Sequence, residues 1–227
     1  MRSFLAVAVA LVAASVDASA QQGRQDVDVI AADGARLRAT YWSPGRPGPG
    51  MLLLHQCNMD RRAWSQLGAA LAERGVHVLA MDYRGYGESP RGGNRLEEDI
   101  DAALAALVAR PGVDATRLAA GGASCGVRNS VLLARRSGKI RALMLLSGPT
   151  PDEGVAWLRE HPNMAILGAA TAEEDFAVRS LRTVVATSRH PATTMRVLTR
   201  AGHGAPMFAA DSTLLPAVVD WVVRVLR

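Results

Sequence analysis

The sequence predicts an α/β protein, a mostly parallel eight-stranded sheet with helices on both faces. Three observations predict it. Eight short apolar runs of strand type recur along the chain. From the third onward, stretches with helical spacing separate them. Turn residues cluster in the gaps. Strands joined by helices become parallel pairs through right-handed crossovers, and the helices then cover the sheet.

The elements follow in order. Asp26 to Ala31 and Leu37 to Trp42 alternate around Ala32-Asp33-Gly34, a hairpin signal, so this pair should form an antiparallel edge. The Pro- and Gly-rich stretch Ser43 to Gly50 reads as a turn rather than a domain boundary. Met51 to His55 is a buried-type strand, Ala63 to Glu73 a helix ending at Gly75, and Val76 to Met81 a strand. Leu96 to Ala109 is a helix, Leu118 to Gly121 a strand, and Val127 to Ser137 a helix. Ala142 to Leu146 is a strand, Gly154 to Glu160 a short helix, and Met164 to Ala170 a strand. Asp175 to Ser188 is a helix, Thr194 to Leu198 the last strand, and Leu214 to Leu226 a closing helix. There is no internal repeat.

The first twenty residues read as a secretory signal rather than structure. Arg2 supplies the positive end, Phe4 to Ala14 the apolar stretch, and Ala18-Ser19-Ala20 a cleavage site. The apolar stretch is too short to span a bilayer. Cleavage near Ala20 leaves residues 21–227 as one domain, exported to the periplasm or secreted without a stable membrane anchor. The formal net charge of +5 comes almost wholly from arginine, since Lys139 is the only lysine. The arginines are scattered and no aromatics interleave with them, which argues against a nucleic-acid surface. No H-x-x-H, C-x-x-C or glycine-rich phosphate loop is present, so neither metal nor cofactor is expected.

The chemistry is concentrated in Gly122-Ala123-Ser124-Cys125-Gly126, between a strand-like and a helix-like run. This is a G-x-S-x-G turn in its strand–turn–helix context, where small residues allow a sharp bend that exposes the serine hydroxyl. In open parallel sheets functional groups gather at the carboxyl ends of strands. His55-Gln56-Cys57, Glu173-Glu174-Asp175 and His203 also follow strands. A serine needs a base to activate it, and that base needs a carboxylate to orient it. The chain order is serine, acid, histidine.

On these segments the chain resembles the α/β-hydrolase superfamily across residues 21–227, in particular its compact dienelactone-hydrolase-like and small-esterase members. Asp82-Tyr83-Arg84-Gly85-Tyr86-Gly87-Glu88-Ser89 looks like the family's loop after its fourth strand, and Leu52-Leu53-Leu54-His55 resembles its strand into the oxyanion loop. The resemblance implies Ser124 as nucleophile, His203 as general base and then acid, and Asp175 as the orienting carboxylate, with Glu174 as the alternative. It implies the backbone N–H groups of Cys125 and Cys57 as the oxyanion hole.

Three features depart from the family pattern. His55-Gln56 stands where the family has His-Gly, so a side chain intrudes on the oxyanion loop. Thr171-Ala172-Glu173-Glu174 also reads as a helix capping box, which accounts for both glutamates without catalysis. The dienelactone hydrolases have cysteine at the centre of the turn, whereas here it comes one place later. The resemblance brings Cys57 and Cys125 to either side of the oxyanion hole, either bridged by a disulfide or lining the pocket as free thiols. His55 is expected to hydrogen-bond within its loop, and His77, His161 and His190 to be structural or exposed.

Between Leu146 and Met164 there is room for only one short helix, so the cap should be minimal and the site open. The expected reaction is hydrolysis of small or exposed carboxylic esters through an acyl-enzyme on Ser124. Two alternatives stay open: a peptidase or amidase on the same triad, and a non-catalytic binding protein on a hydrolase fold.

Overall fold

A computed structural model of the protein describes residues 23–227. The leader read from Arg2, Phe4 to Ala14 and Ala18 to Ala20 lies outside the described residues. The strands are β1 (Gly23–Ile30), β2 (Arg36–Ser43), β3 (Gly48–Leu54), β4 (His77–Met81), β5 (Val113–Ala123), β6 (Ile140–Leu146), β7 (Ala165–Thr171) and β8 (Thr194–Leu198). They form one sheet in the order β1-β2-β4-β3-β5-β6-β7-β8. The β1–β2 hairpin pairs Ile30 with Arg36 and is antiparallel. β2 is antiparallel to β4 as well, and every later pairing is parallel. The helices are α1 (Ser65–Glu73), α2 (Leu96–Val108), α3 (Cys125–Ser137), α4 (Asp152–Glu160), α5 (Asp175–Val185), α6 (Met207–Ala210) and α7 (Leu214–Val225), with a 3-10 turn at Arg61–Trp64.

The alternation of side chains along each strand builds two cores. In β3, Leu52 and Leu54 face the layer of α2, α3, α4 and α5, among Ile100, Leu104, Val127, Val131, Leu158 and Leu181. Met51 and Leu53 face the opposite layer of α1 and α7, among Leu67, Leu71, Val218 and Trp221. Strands buried on both faces read as continuous apolar runs rather than alternating ones, which is why Met51 to Leu54 contains no polar residue.

Three differences between sequence and structure stand out beyond shifts of a few residues at element ends. β3 begins at Gly48, inside the stretch read as a turn, because Gly48 and Pro49 pair with Val113 and Asp114 of β5. That same pairing starts β5 five residues before the expected Leu118. Cross-strand partners that are distant in sequence outweigh local turn composition here. The four-residue α6 was not expected, being too short to show a helical period.

The strand order reverses between β3 and β5. From β3 the chain moves outward to β4, crosses back through α2 to β5, then proceeds through β6 and β7 to β8. The crevice at the carboxyl ends of β3 and β5 is therefore the switch point, where ligands bind in open α/β sheets.

Candidate active site

Ser124 sits at that crevice, between the end of β5 and the start of α3. Its backbone is at φ 52°, ψ −119°, a region that costs a non-glycine residue about 1–3 kcal/mol and persists only where surroundings enforce it. The surroundings are explicit. The Ser124 N–H donates to the Leu146 carbonyl (2.8 Å), and the Val127 N–H donates to the Ser124 carbonyl (2.9 Å). A Cβ on Gly122 would lie 2.0 Å from the Gly126 carbonyl oxygen, and one on Gly126 would lie 2.3 Å from that of Leu54. Both flanking positions of the pentapeptide thus exclude any side chain. The Ser124 side chain is half-buried and makes no hydrogen bond among the described residues.

Cys57 follows β3 on the other side of the crevice. It is joined to Cys125 by a disulfide whose Cα atoms are 5.9 Å apart, within the range a bridge requires. Of the two readings left open for the cysteines, the structure takes the bridged one. Among the described residues, neither the Cys57 nor the Cys125 backbone N–H enters a hydrogen bond. Both belong to neighbouring segments tied together covalently, and Cys125 opens α3, whose positive dipole end faces the same place.

His203 lies in the loop after β8. Its Nδ1–H donates to Glu174 Oε1. The imidazole is 44% exposed and the Glu174 side chain 25%. The other carboxylate oxygen, Oε2, is buried without a partner among the described residues. Asp175, expected as the orienting carboxylate, does not reach this histidine. It is the first residue of α5, its side chain is 75% exposed, and it pairs with Arg179 one helical turn on. Successive residues of a helix point about 100° apart, so the residue just before α5 faces the site and the first residue within it faces solvent. His203 and Ser124 are not hydrogen-bonded to each other, a contact that often forms only with substrate.

The capping-box reading of the acidic group also changes. α5 begins after Glu174 with no side-chain cap. Glu173 accepts hydrogen bonds from Thr171 Oγ1 and from the Arg200 N–H (3.0 Å), and Thr171 Oγ1 accepts the Ala201 N–H (3.3 Å). The end of β7 thereby holds the histidine loop, including Arg200 at φ 52°.

Behind the crevice, His55 is fully buried. Its Nδ1–H donates to the Gln56 carbonyl (2.8 Å), and Nε2 accepts the Tyr83 N–H (3.1 Å). Burial pushes its pKa below the ordinary histidine value, which suits a neutral residue bracing two loops. Asp82 and Arg61, both buried, form an ion pair. Asp82 also accepts the Arg61 N–H (2.7 Å) and the Glu88 N–H (2.9 Å). Sequence inspection missed Arg61, which stands between Asp60, the cap of the 3-10 turn, and the exposed Arg62. Ser89 donates to the Asp82 carbonyl (2.9 Å). The loop after β4 and the segment after Cys57 are therefore one hydrogen-bonded unit.

Between β6 and β7 stands only α4, so no large cap covers the crevice. Among the described residues no group of three or more His, Cys, Asp or Glu side chains is arranged to hold a metal ion. No described helix is long and apolar enough to cross a membrane.

Residues 49–212 match the family described as alpha/beta hydrolase fold. The uncharacterized protein Rv2307c of Mycobacterium tuberculosis (strain ATCC 25618 / H37Rv) is 37% identical over 114 residues, 48% of this chain and 41% of that one. The chain thus spans well under half the length of the curated relative it matches. Among solved structures, the esterase Pf2001 of Pyrococcus furiosus superposes with a TM-score of 0.69 at 14% identity, covering 91% of this chain and 92% of that one. A putative dienelactone hydrolase from Klebsiella pneumoniae gives 0.68 at 17%, covering 88% and 98%. The alpha/beta hydrolase GrgF from Penicillium sp. sh18 gives 0.71 at 14%, covering 89% and 99%. At these identities the superpositions speak to the fold. Together with the family match over most of the chain, they establish that the protein belongs to the alpha/beta hydrolase fold family.

Proposed function

We propose that the protein is a serine hydrolase that cleaves carboxylic esters of small or exposed substrates. One observation carries the reading: a serine in a strained strand–helix turn at the switch point, with a histidine–glutamate pair on the ends of β7 and β8 along the same edge of the sheet. In the proposed reaction Ser124 Oγ attacks the ester carbonyl while His203 Nε2 takes its proton. Glu174 holds Nδ1 protonated, which leaves Nε2 free as base, and stabilises the imidazolium. The N–H groups of Cys125 and Cys57 bind the developing oxyanion, where each donor contributes about 3–4 kcal/mol. His203 returns the proton to the leaving alcohol, and water then hydrolyses the acyl-enzyme by the reverse relay. No step calls for a cofactor.

The small cap supports substrates that are soluble or present an exposed ester. Two of the similar structures are named as an esterase and a putative dienelactone hydrolase, which favours esters over peptides. The reading places the protein outside the cytoplasm, on the strength of Arg2, the apolar run and Ala18-Ser19-Ala20. The disulfide fits that compartment.

The test is fluorophosphonate treatment of the purified protein followed by peptide mapping. A single adduct on Ser124, lost in Ser124→Ala and in His203→Ala, is the expected result. A folded protein that takes no adduct would sink the reading and favour a binding protein on this fold. A panel of esters and peptides then separates esterase from peptidase.

A further inference from the structure

We infer that Gln56 is a positioning residue that couples the oxyanion loop to the loop carrying the catalytic base. The inference rests on the serine-hydrolase reading above. Gln56 stands between His55 and Cys57, and only 2% of it is exposed. Its side chain crosses to the other side of the crevice, where Oε1 accepts the Ala205 N–H (3.0 Å) across a separation of 149 residues. Its Nε2 donates to Asn58 Oδ1 (2.9 Å). A backbone N–H can only donate, so the atom facing Ala205 must be the amide oxygen.

The approach is close enough to dictate the neighbouring residue. Gly204 is at φ +68°, and a Cβ there would lie 2.2 Å from Gln56 Oε1. His203 is thus gripped from both directions. On its N-terminal side, Glu173 and Thr171 hold Arg200 and Ala201. On its C-terminal side, Gln56 holds Ala205. The imidazole itself is 44% exposed, so packing alone does not fix it, and these backbone anchors together with Glu174 do. Gln56 is the one anchor among them that comes from the oxyanion side. Its backbone runs directly into Cys57, whose N–H is a proposed oxyanion donor. One amide therefore sets the distance between the base and the hole.

Such a coupling acts on the reaction step more than on substrate binding. Misplacing a catalytic group by about 1 Å costs on the order of 10²-fold in rate. Gln56→Met keeps the volume and removes the acceptor. On a short-chain chromogenic ester, with the disulfide intact, this variant should lose about 10- to 100-fold in kcat with KM within about twofold. Fluorophosphonate labelling of Ser124 should slow in parallel. Gln56→Glu keeps an acceptor for Ala205, and the exposed Asn58 amide turns to donate to it. It should recover to within about fivefold of the parent.

Thermal unfolding establishes that each variant is folded. If Gln56→Met does not fold, the test moves to two other variants. Gly204→Ala, whose Cβ displaces the Gln56 amide, should show the kcat-selective loss, while Gln56→Glu stays active. A folded Gln56→Met with parental kcat overturns the inference, as does a loss confined to KM or a Gln56→Glu as impaired as the methionine variant. In the fallback pair, a fully active Gly204→Ala or an inactive Gln56→Glu overturns it. A parent protein that neither labels nor hydrolyses any ester removes the hydrolase reading and this inference with it. A parent that labels beside an indifferent Gln56→Met removes this inference alone.

Discussion

Glu174 accepts the hydrogen bond from His203 Nδ1, and Asp175 beside it turns away to Arg179. Two adjacent carboxylates therefore have separable consequences. Glu174→Ala should lower kcat by about 10²- to 10⁴-fold, as expected when the group that fixes the histidine tautomer is lost. Asp175→Asn should leave kcat within about twofold, because an exposed pair one helical turn apart contributes little. Steady-state ester hydrolysis by the two variants decides this. Equal losses would return Asp175 to the site.

The Cys57–Cys125 disulfide closes a loop of 68 residues beside both proposed oxyanion donors. The chain-entropy picture gives a bridge of this span about 4 kcal/mol of stabilisation, and native bridges typically contribute about 2–4 kcal/mol. Replacing both cysteines by serine should lower the thermal midpoint by roughly 5–15 °C. Because the two donors then hold less firmly, kcat should fall several-fold even well below the new midpoint. Melting curves and kinetics measured with and without a thiol reductant check both parts. Activity indifferent to reduction would make the bridge purely structural.

Arg61 and Asp82 form a buried pair that joins the segment after the oxyanion loop to the loop after β4. Removing one partner leaves an uncompensated buried charge, at a cost of about 3–5 kcal/mol. Arg61→Met should lose that much in urea titration, and Arg61→Met with Asp82→Asn should regain part of it. A double variant no better than the single one would show that the Asp82 charge is not the cause.

Acid should weaken the fold through His55 and His77. Burial pushes both pKa values below the ordinary 6.5. His77 is braced by Tyr41 OH (2.6 Å) and donates to the Arg46 carbonyl (3.0 Å). Above about pH 8 these histidines are neutral in both folded and unfolded chains and contribute nothing to the slope. Below it the unfolded chain binds protons that the folded one refuses, so stability declines as pH falls, until the folded imidazoles themselves titrate. Each histidine adds at most about 1.4 kcal/mol per pH unit. Urea midpoints between pH 7.5 and 5 should show the decline, and His77→Gln should make it shallower. A slope unchanged in that variant would clear His77.

Much of this was legible in the sequence because it is local. Apolar periodicity marked eight strands and most of the helices, and Gly-x-Ser-x-Gly marked a turn whose glycines the structure shows to be sterically required. The departure at Gln56 was visible as an intruding side chain. Its bond to Ala205 was not, since nothing near either residue refers to the other. Arg61 was hidden for the same reason, being one arginine among many until Asp82 is placed against it.

The sequence by itself determined the alternation of strands and helices, the serine turn, and the order of serine, acid and histidine. The first two depend on residues within a few positions of one another, where period and backbone sterics decide, and the third is read directly from the chain order of Ser124, the acidic group at 173–175 and His203. Only the tertiary structure decided that Glu174 faces His203, that Cys57 meets Cys125, and that Gln56 reaches Ala205. A helix start turns adjacent side chains about 100° apart, and which one faces the crevice depends on where α5 begins and how it packs on the sheet. The other two are contacts across 68 and 149 residues, made only when the strand order brings the ends of β3, β5 and β8 to one edge.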